Sequence, residues 1–375
     1  MSAPTRPRVL LAVTFYNGRD FAERTMDSIA AIEHDGFDLD VLVLDDASPE
    51  PGFSDHLAEI SDRKGATYYR ATRNLGIPRN VNLGLATAQK LQYDYVVISN
   101  SDVIYSKNSV SVLLEALRGH DDVASATAWS TNVEPYSLPC GVELYPEEQD
   151  VADLIGTALH NRFGTEAIDI PAGISFAMMV PVPRLEVVGL MDPVFGRGYG
   201  EESDWSARAT SAGYRHLLVQ GAYVYHAGRG STLAAGVVSQ SDIADWTNQA
   251  IVEHRSPMFR WSVDAFMRSG VMDDARPEAV AAIIAHAAAV NGYALVNAAS
   301  DWDDVDPRVV TVTLRSEADE MCMAQWCGFT TEIDTDQIDV VDAVVAYFGG
   351  QRPVATNLRP AIWEGADTFG YPVGL

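Results

Sequence analysis

The sequence predicts an α/β fold on a parallel sheet, followed by a mainly helical or mixed extension. Short β-rich runs alternate with helical patterns over the first hundred residues, the signature of strands joined by crossover helices. Polar residues stand at the carboxyl ends of three of the first four strand runs. Beyond about Ser241 the alternation gives way to helical patterns such as Pro277 to Ala289.

Taken in order, Arg8 to Thr14 reads as a buried strand and Phe15 to Gly18 as the loop after it. Asp20 to Ile32 carries Phe21, Met26, Ile29 and Ala30 at helical spacing. Asp40 to Leu44 is the second strand, ending on Asp45-Asp46, and a helix through Asp55 to Ile60 leads to a third strand near Ala66 to Arg70. Arg79 to Leu91 is helical, and Tyr95 to Ser99 is a fourth strand ending on Asn100-Ser101-Asp102. Further on, Ile174 to Val180 reads as a strand, Arg184 to Val188 as a short helical piece and Phe195 to Gly200 as a glycine-rich loop. Glu202 to Ser211 follows as a helix, with strands at Tyr214 to Val219 and Ala222 to His226. A boundary near 240 divides the chain into residues 1–240 and an appended 241–375 of unassigned role.

A chain of 375 residues, 47% hydrophobic and 21% charged, is long enough for a substantial buried core. Its formal net charge of -26 argues against nucleic acid as a partner, because phosphate contacts need clustered Lys and Arg. Only Lys64, Lys90 and Lys107 represent lysine, so Arg carries most of the positive charge. Cys140, Cys322 and Cys327 are too few and too scattered for a disulfide framework, which fits a reducing compartment. The N-terminal apolar run is too short for a signal peptide, and Ala279 to Val290 is too short for a membrane span. The expected location is the cytoplasm. Peripheral association at the inner face of the cell membrane and an oligomeric state stay open.

In open α/β sheets the ligand crevice lies at the carboxyl ends of the strands. Thr14-Phe15-Tyr16-Asn17, Asp45-Asp46 and Asn100-Ser101-Asp102 all reach that edge. An Asp there can accept hydrogen bonds from a pyrimidine N–H or a ribose hydroxyl, or it can simply cap a turn. Asp102 could bind a hard cation that also coordinates a diphosphate, for which Mg2+ or Mn2+ is suited. Gly198 to Trp205 places Glu201, Glu202 and Asp204 at the start of a helix, where the macrodipole favours acids. A carboxylate on such a loop can also reach an acceptor hydroxyl as a general base. His226 closes a strand and could complete a metal shell, or it could be an ordinary satisfied residue.

In order, VTFYNG, LDDASP, RNLGIPRNVNLG, ISNSD, GYGEESDWSARATSAGY and VYHAGRGS resemble glycosyltransferase family 2 enzymes of the GT-A fold. The likeness is closest to the bacterial rhamnosyltransferase-like branch and covers roughly residues 8 to 232. It implies a Rossmann-like nucleotide-diphospho-sugar transferase domain. It implies that Thr14, Tyr16, Asn17, Asp45, Asp46 and Ser101 serve the nucleotide, with Asp46 holding the base. Arg73, Asn74, Gly76, Arg79 and Asn80 are implied to line the nucleotide and donor sugar. Asp102 and His226 are the implied ligands of Mg2+ or Mn2+, since Asn100 replaces the first acid of the family's DXD-like motif. Glu202 falls where the family places its catalytic base, with Glu201 and Asp204 as alternatives.

The implied activity is metal-dependent, inverting transfer from a dTDP- or UDP-sugar to a hydroxyl of a glycan or glycoconjugate. A catalytically inactive nucleotide-sugar-binding or scaffold protein on the same fold is the alternative. A nucleotidylyltransferase would need a Gly-rich, Arg-containing signature after the first strand, which Thr14 to Gly18 lacks. Asp301 to Asp306 lacks the glycine of a calcium-binding EF-hand loop and reads as a solvated acidic turn.

Overall fold

The computed structural model describes residues 6–139, 148–228, 246–297, 308–314, 321–335 and 340–356. Cys140, Arg229 and the acidic run 301–306 lie outside the described residues. The chain divides into two compact units, the first running to Ala275 and the second from Arg276.

The first unit opens with β1 (Arg8–Phe15), α1 (Arg19–Ala30), β2 (Asp38–Asp45), α2 (Phe53–Arg63) and β3 (Thr67–Arg70). Next come α3 (Ile77–Lys90), β4 (Tyr95–Ser99), β5 (Val103–Tyr105), α4 (Ser109–Leu117), β6 (Val123–Trp129) and α5 (Gln149–Phe163). β7 (Ala167–Ile170), β8 (Ala177–Pro181), α6 (Val182–Val188), α7 (Glu201–Ser211) and β9 (Arg215–His226) follow. Helices α8 (Trp246–Arg255) and α9 (Pro257–Arg268) complete it.

Its sheet has the order β3-β2-β1-β4-β8-β6-β9-β5, with β7 also beside β9. Strands β3, β2, β1 and β4 are parallel, as the alternation predicts. Beyond these four the sheet becomes mixed, because β8 runs antiparallel to both β4 and β6. β5 and β7 also run antiparallel to β9. No helix lies between β4 and β5 or between β7 and β8, so the crossover spacing that signals a parallel strand is missing there.

Side chains along β1 alternate between two cores, as a period of two requires. Val9, Leu11 and Val13 pack on one face with Ala22, Met26 and Ile29 of α1 and Phe53 and Leu57 of α2. Leu10 and Ala12 face the other way, among Val81, Leu85 and Ala88 of α3 and Trp205 of α7.

The strand read as two pieces, Tyr214 to Val219 and Ala222 to His226, is the single strand β9. Its pairing with β6 slips between Ala128↔Val219 and Trp129↔Tyr223, so the Gln220-Gly221 pair that suggests a turn forms an irregularity inside a continuous strand. Gly221 is needed because a Cβ there would stand 1.9 Å from the Gly164 carbonyl oxygen.

α8 is fastened to the loop before α7. Buried Asn248 donates through Nδ2 to the carbonyls of Phe195 (3.0 Å) and Gly198 (2.8 Å). Arg255 bridges Asp192 (2.8 Å) and Asp204 (3.1 Å). The division between the compact units, after Ala275, falls beyond α8 and α9.

The second unit holds a five-stranded sheet, β10 (Tyr293–Asn297), β11 (Val310–Leu314), β12 (Met321–Trp326), β13 (Phe329–Asp334) and β14 (Ala355–Thr356), in the order β13-β12-β11-β10-β14. Helix α10 (Val271–Asn291) crosses the division and α11 (Val340–Tyr347) precedes β14. Inside this unit Tyr293 stacks on Phe348 with ring centroids 4.4 Å apart. Among the described residues no helix is long and apolar enough to cross a membrane.

Gly221→Ala is expected to lower stability by about 1–3 kcal/mol, because the added methyl meets a backbone carbonyl that cannot rotate away. Urea unfolding measures this, and an unchanged midpoint contradicts the packing described.

Candidate active site

The first cluster forms where β1 and β2 end. The Thr14 hydroxyl donates to the Ser99 carbonyl at 3.3 Å, tying the ends of β1 and β4 together. Tyr16 beyond it is half-buried. Asn17 adopts a left-handed backbone (φ 58), donates its N–H to Ser48 Oγ (2.9 Å) and accepts from the Glu50 N–H (3.2 Å).

Asp45 is fully buried. Oδ1 accepts from the Ser48 N–H (2.9 Å), while Oδ2 accepts from the hydroxyls of Ser54 (2.5 Å) and Tyr68 (2.8 Å). Burial raises its pKa, but the hydrogen bonds from Ser54, Ser48 and Tyr68 outweigh that and hold it below the usual carboxylate range. This carboxylate braces the β2–α2 turn.

Asp46 organises the next loop instead. Oδ1 accepts from the Leu75 N–H (2.7 Å) and Oδ2 from the Gly76 N–H (3.0 Å). Burial and the neighbouring Asp45 charge raise its pKa against those two bonds. Gly76 (φ +79) is indispensable here, because a Cβ would fall 2.0 Å from the Gly196 carbonyl oxygen. The 73–76 loop therefore rests backbone to backbone on the loop that leads into α7. Arg73, Asn74 and Arg79 remain exposed around it, whereas Asn80 is buried, donates to the Leu44 carbonyl (3.4 Å) and leaves its Oδ1 without a partner.

The second cluster joins residues 124 positions apart. β5 pairs with β9 in the register Val103↔His226, which carries buried Ser101 and Asp102 to the end of β9. His226 Nε2 lies 3.3 Å from Asp102 Oδ1 and 3.2 Å from Asn100 Nδ2. With the Asn100 amide donating, Nε2 presents a lone pair, the same lone pair a metal would use. The His226 backbone is held by Thr131, whose hydroxyl accepts from the His226 N–H (3.1 Å) and donates to its carbonyl (2.5 Å). The Phe176 ring packs beside the imidazole, centroids 5.4 Å apart.

Among the described residues no three His, Cys, Asp or Glu side chains converge as a complete metal cage. A pair with one carboxylate oxygen and one imidazole nitrogen suits a cation whose other positions go to phosphate and water oxygens.

The third cluster is the acidic start of α7, where the three candidates part company. Asp204 is spent on Arg208 Nε (2.9 Å) and Arg255 (3.1 Å). Glu201 is buried, 3% exposed, with Oε2 unpartnered. Glu202 Oε2 accepts from both the N–H (3.2 Å) and the hydroxyl of Ser175. Burial raises both glutamates above the ordinary range, with Glu202 adding repulsion on Glu201, while Ser175 and His226 temper the rise at Glu202. Of the three, Glu202 alone lines a cavity of about 490 Å³, whose walls include Tyr136, Ile174, Tyr199, Val252 and Phe259.

Sequence reasoning did not single out Ser175, Phe176, Thr131, Tyr136 or Arg255. Each is remote in sequence from the residue it serves. A polar Ser175 opening a strongly apolar strand run was the one available signal.

A family model described as Glycosyl transferase family 2 matches residues 11–163, the stretch from β1 through α5. No curated protein matches the chain in sequence. Among solved structures the chain is similar to a mannosyltransferase from Pyrobaculum calidifontis in complex with GDP-Man and Mn2+, at 19% identity and TM-score 0.47, covering 77% of this chain and 78% of that one. It is also similar to GalNAc-T7 with UDP, GalNAc and Mn2+, at 17% identity and TM-score 0.45, covering 58% and 42%. S. aureus TarS 1-349 stands at 16% identity and TM-score 0.42, covering 74% and 80%.

Glu201→Gln gives a check on the buried acids. A raised folded-state value means that folding favours the neutral form, so this stability is complete below the unfolded carboxyl value near about 4.3 and is lost as pH rises through the folded value. The variant is expected to be more stable than the native chain at pH 8 by about 1–3 kcal/mol, with little difference at pH 4. Urea midpoints at the two pH values measure it, and a less stable variant at pH 8 contradicts the assignment. The stretch from β1 through α5 is thus similar to glycosyltransferase family 2, and it contributes strands to a mixed α/β sheet.

Proposed function

We propose that the chain moves a sugar from a nucleotide-sugar donor, a dTDP- or UDP-sugar, to a hydroxyl of a glycan or glycoconjugate, with inversion. The observation that carries this reading is a two-residue bridge. The Asn100 N–H donates to the Phe176 carbonyl at 3.0 Å, beside the Asp102–His226 pair. The preceding residue, Ser175, holds Glu202. A cation-and-phosphate site and a candidate base are thereby held a residue apart on one backbone.

The order of motifs, closest to the rhamnosyltransferase-like branch, supports dTDP-rhamnose or a UDP-sugar as donor. In this reading Tyr16, half-buried just past the end of β1, packs against the base. The loop around Gly76 offers Arg73 and Arg79 to the donor. Asp102 and His226 would hold Mg2+ or Mn2+, which when bound neutralises charge on the diphosphate.

Glu202 is the base. Both Ser175 donors address Oε2, leaving Oε1 to accept the proton of the attacking acceptor hydroxyl. Glu201 next to it and Asp204, locked by two arginines, are less suited. The first unit contains all of these groups, and the second receives no role in the transfer.

Glu202→Gln is expected to lower the transfer rate by about 10²–10⁴-fold while leaving nucleoside diphosphate affinity unchanged. Full activity in that variant overturns the assignment of the base. The base works only when ionised, and its pKa is raised. The acid limb of kcat/KM in the native enzyme is therefore expected above the ordinary carboxylate range. A flat profile down to pH 4 contradicts it. Release of nucleoside diphosphate from donor separates this reading from a purely binding protein, which releases none.

A further inference from the structure

The cavity that opens on Glu202 is lined partly by residues 171–174, α8 and α9, which neither the family match nor the motifs reach. It is lined by Glu202, Ser203 and the glycine loop at Tyr199-Gly200, by the 134–136 segment and residues 171–174, and by α8 and α9. Tyr136 is fixed within that wall, its hydroxyl donating to the Ala172 carbonyl (3.0 Å) and its ring meeting Phe266 of α9 edge-on at 6.0 Å.

At about 490 Å³ the cavity lies in the range of small-ligand sites. The apolar part of its lining comes from Tyr136, Ile174, Tyr199, Val252, Phe259 and Val263. Such a wall favours an apolar or aromatic group, or the carbon face of a sugar ring, over a fully hydrated one.

The charges around it are mostly negative. Glu134, Glu202, Glu253 and Asp264 all line the cavity, and among the described lining residues Arg260 is the single cation. Its guanidinium is already paired with Glu253 at 3.0 Å. A second anion entering this partly enclosed space meets repulsion from several carboxylates in a medium that screens poorly. A neutral molecule meets none.

We infer that this cavity is the acceptor site, and that it takes an uncharged glycoside whose aglycone is apolar while rejecting sugar phosphates and other anionic acceptors. The sugar hydroxyl faces Glu202 and the aglycone lies along Phe259 and Val263 of α9. The inference rests on Glu202 being the base. It adds the class of acceptor, and it makes α8 and α9 part of the specificity apparatus.

Binding tests it independently of turnover. Phenyl and octyl glycosides of glucose, galactose, mannose and rhamnose are titrated against the full chain by calorimetry, beside the methyl glycosides and the hexose 6-phosphates. At least one phenyl or octyl glycoside is expected to bind tenfold or more tightly than its methyl counterpart, and whichever gain is larger identifies an aryl or alkyl aglycone. Hexose 6-phosphates are expected to show no binding at the same concentrations. Phe259, half-exposed on α9, can be replaced by Ala without opening the core, and Phe259→Ala is expected to erase the gain. The double variant Glu253→Gln/Asp264→Asn is expected to admit the 6-phosphates at least tenfold better than the native chain.

No binding by any glycoside, equal binding of methyl and phenyl forms, a gain that survives Phe259→Ala, or 6-phosphates binding as well as neutral sugars each overturns the inference. Because the titrations read affinity and can be repeated in Glu202→Gln, a protein that transfers no sugar can still pass them. An active transferase can still fail them.

Discussion

The site depends on the backbone at Ser175-Phe176, where a loop enters β8. At this joint the Phe176 carbonyl receives the Asn100 N–H and its ring lies against His226, while Ser175 turns both donors toward Glu202. β8 is the strand that reverses direction between β4 and β6. That reversal brings the start of β8, rather than its end, to the edge where β4 delivers Asn100 and Asp102. An antiparallel strand in the middle of the sheet is thus what allows groups from β4, β9 and α7 to share one neighbourhood.

Several carboxylates are buried close to this edge, and their partners divide the work among them. Asp45 is saturated by three hydrogen bonds and shapes a turn, whereas Asp46 spends its two bonds on the Gly76 loop. The first turn of α7 holds three acids, a placement the helix macrodipole favours. Beyond that common advantage they differ. Asp204 is neutralised by Arg208 and Arg255 and secures α8, and Glu202 retains one oxygen outside the Ser175 bonds. Glu201 is buried with little compensation, a cost the fold carries beside Glu202.

Much of this was legible in the sequence, and the missing parts have physical reasons. Parallel strands β1, β2 and β4 carry dense β-branched and leucine runs ending in polar residues, so they and their chemistry could be read together. Residues 103–170 received no element assignment. β6 reads VASATAW, in which small residues blur both periodicities, and β5 has only three residues. Those two strands nevertheless flank β9 and so position His226, whose approach to Asp102 is a matter of register that no local pattern records. Glu201, Glu202 and Asp204 were equivalent as letters. The resemblance favoured Glu202, and the structure separates the three through their partners, Ser175, Arg208 and Arg255.

We propose that one edge of the first unit binds a nucleoside diphosphate together with a divalent cation through Asp102 and His226. Thermal unfolding with UDP, dTDP and GDP, each with and without Mn2+, tests it most directly, because a ligand of the folded state raises its apparent stability. The account predicts that at least one nucleotide raises Tm by several degrees only when Mn2+ is present, and that Asp102→Ala removes the increase. An equal increase in Asp102→Ala, or no response to any nucleotide with Mn2+, would contradict it.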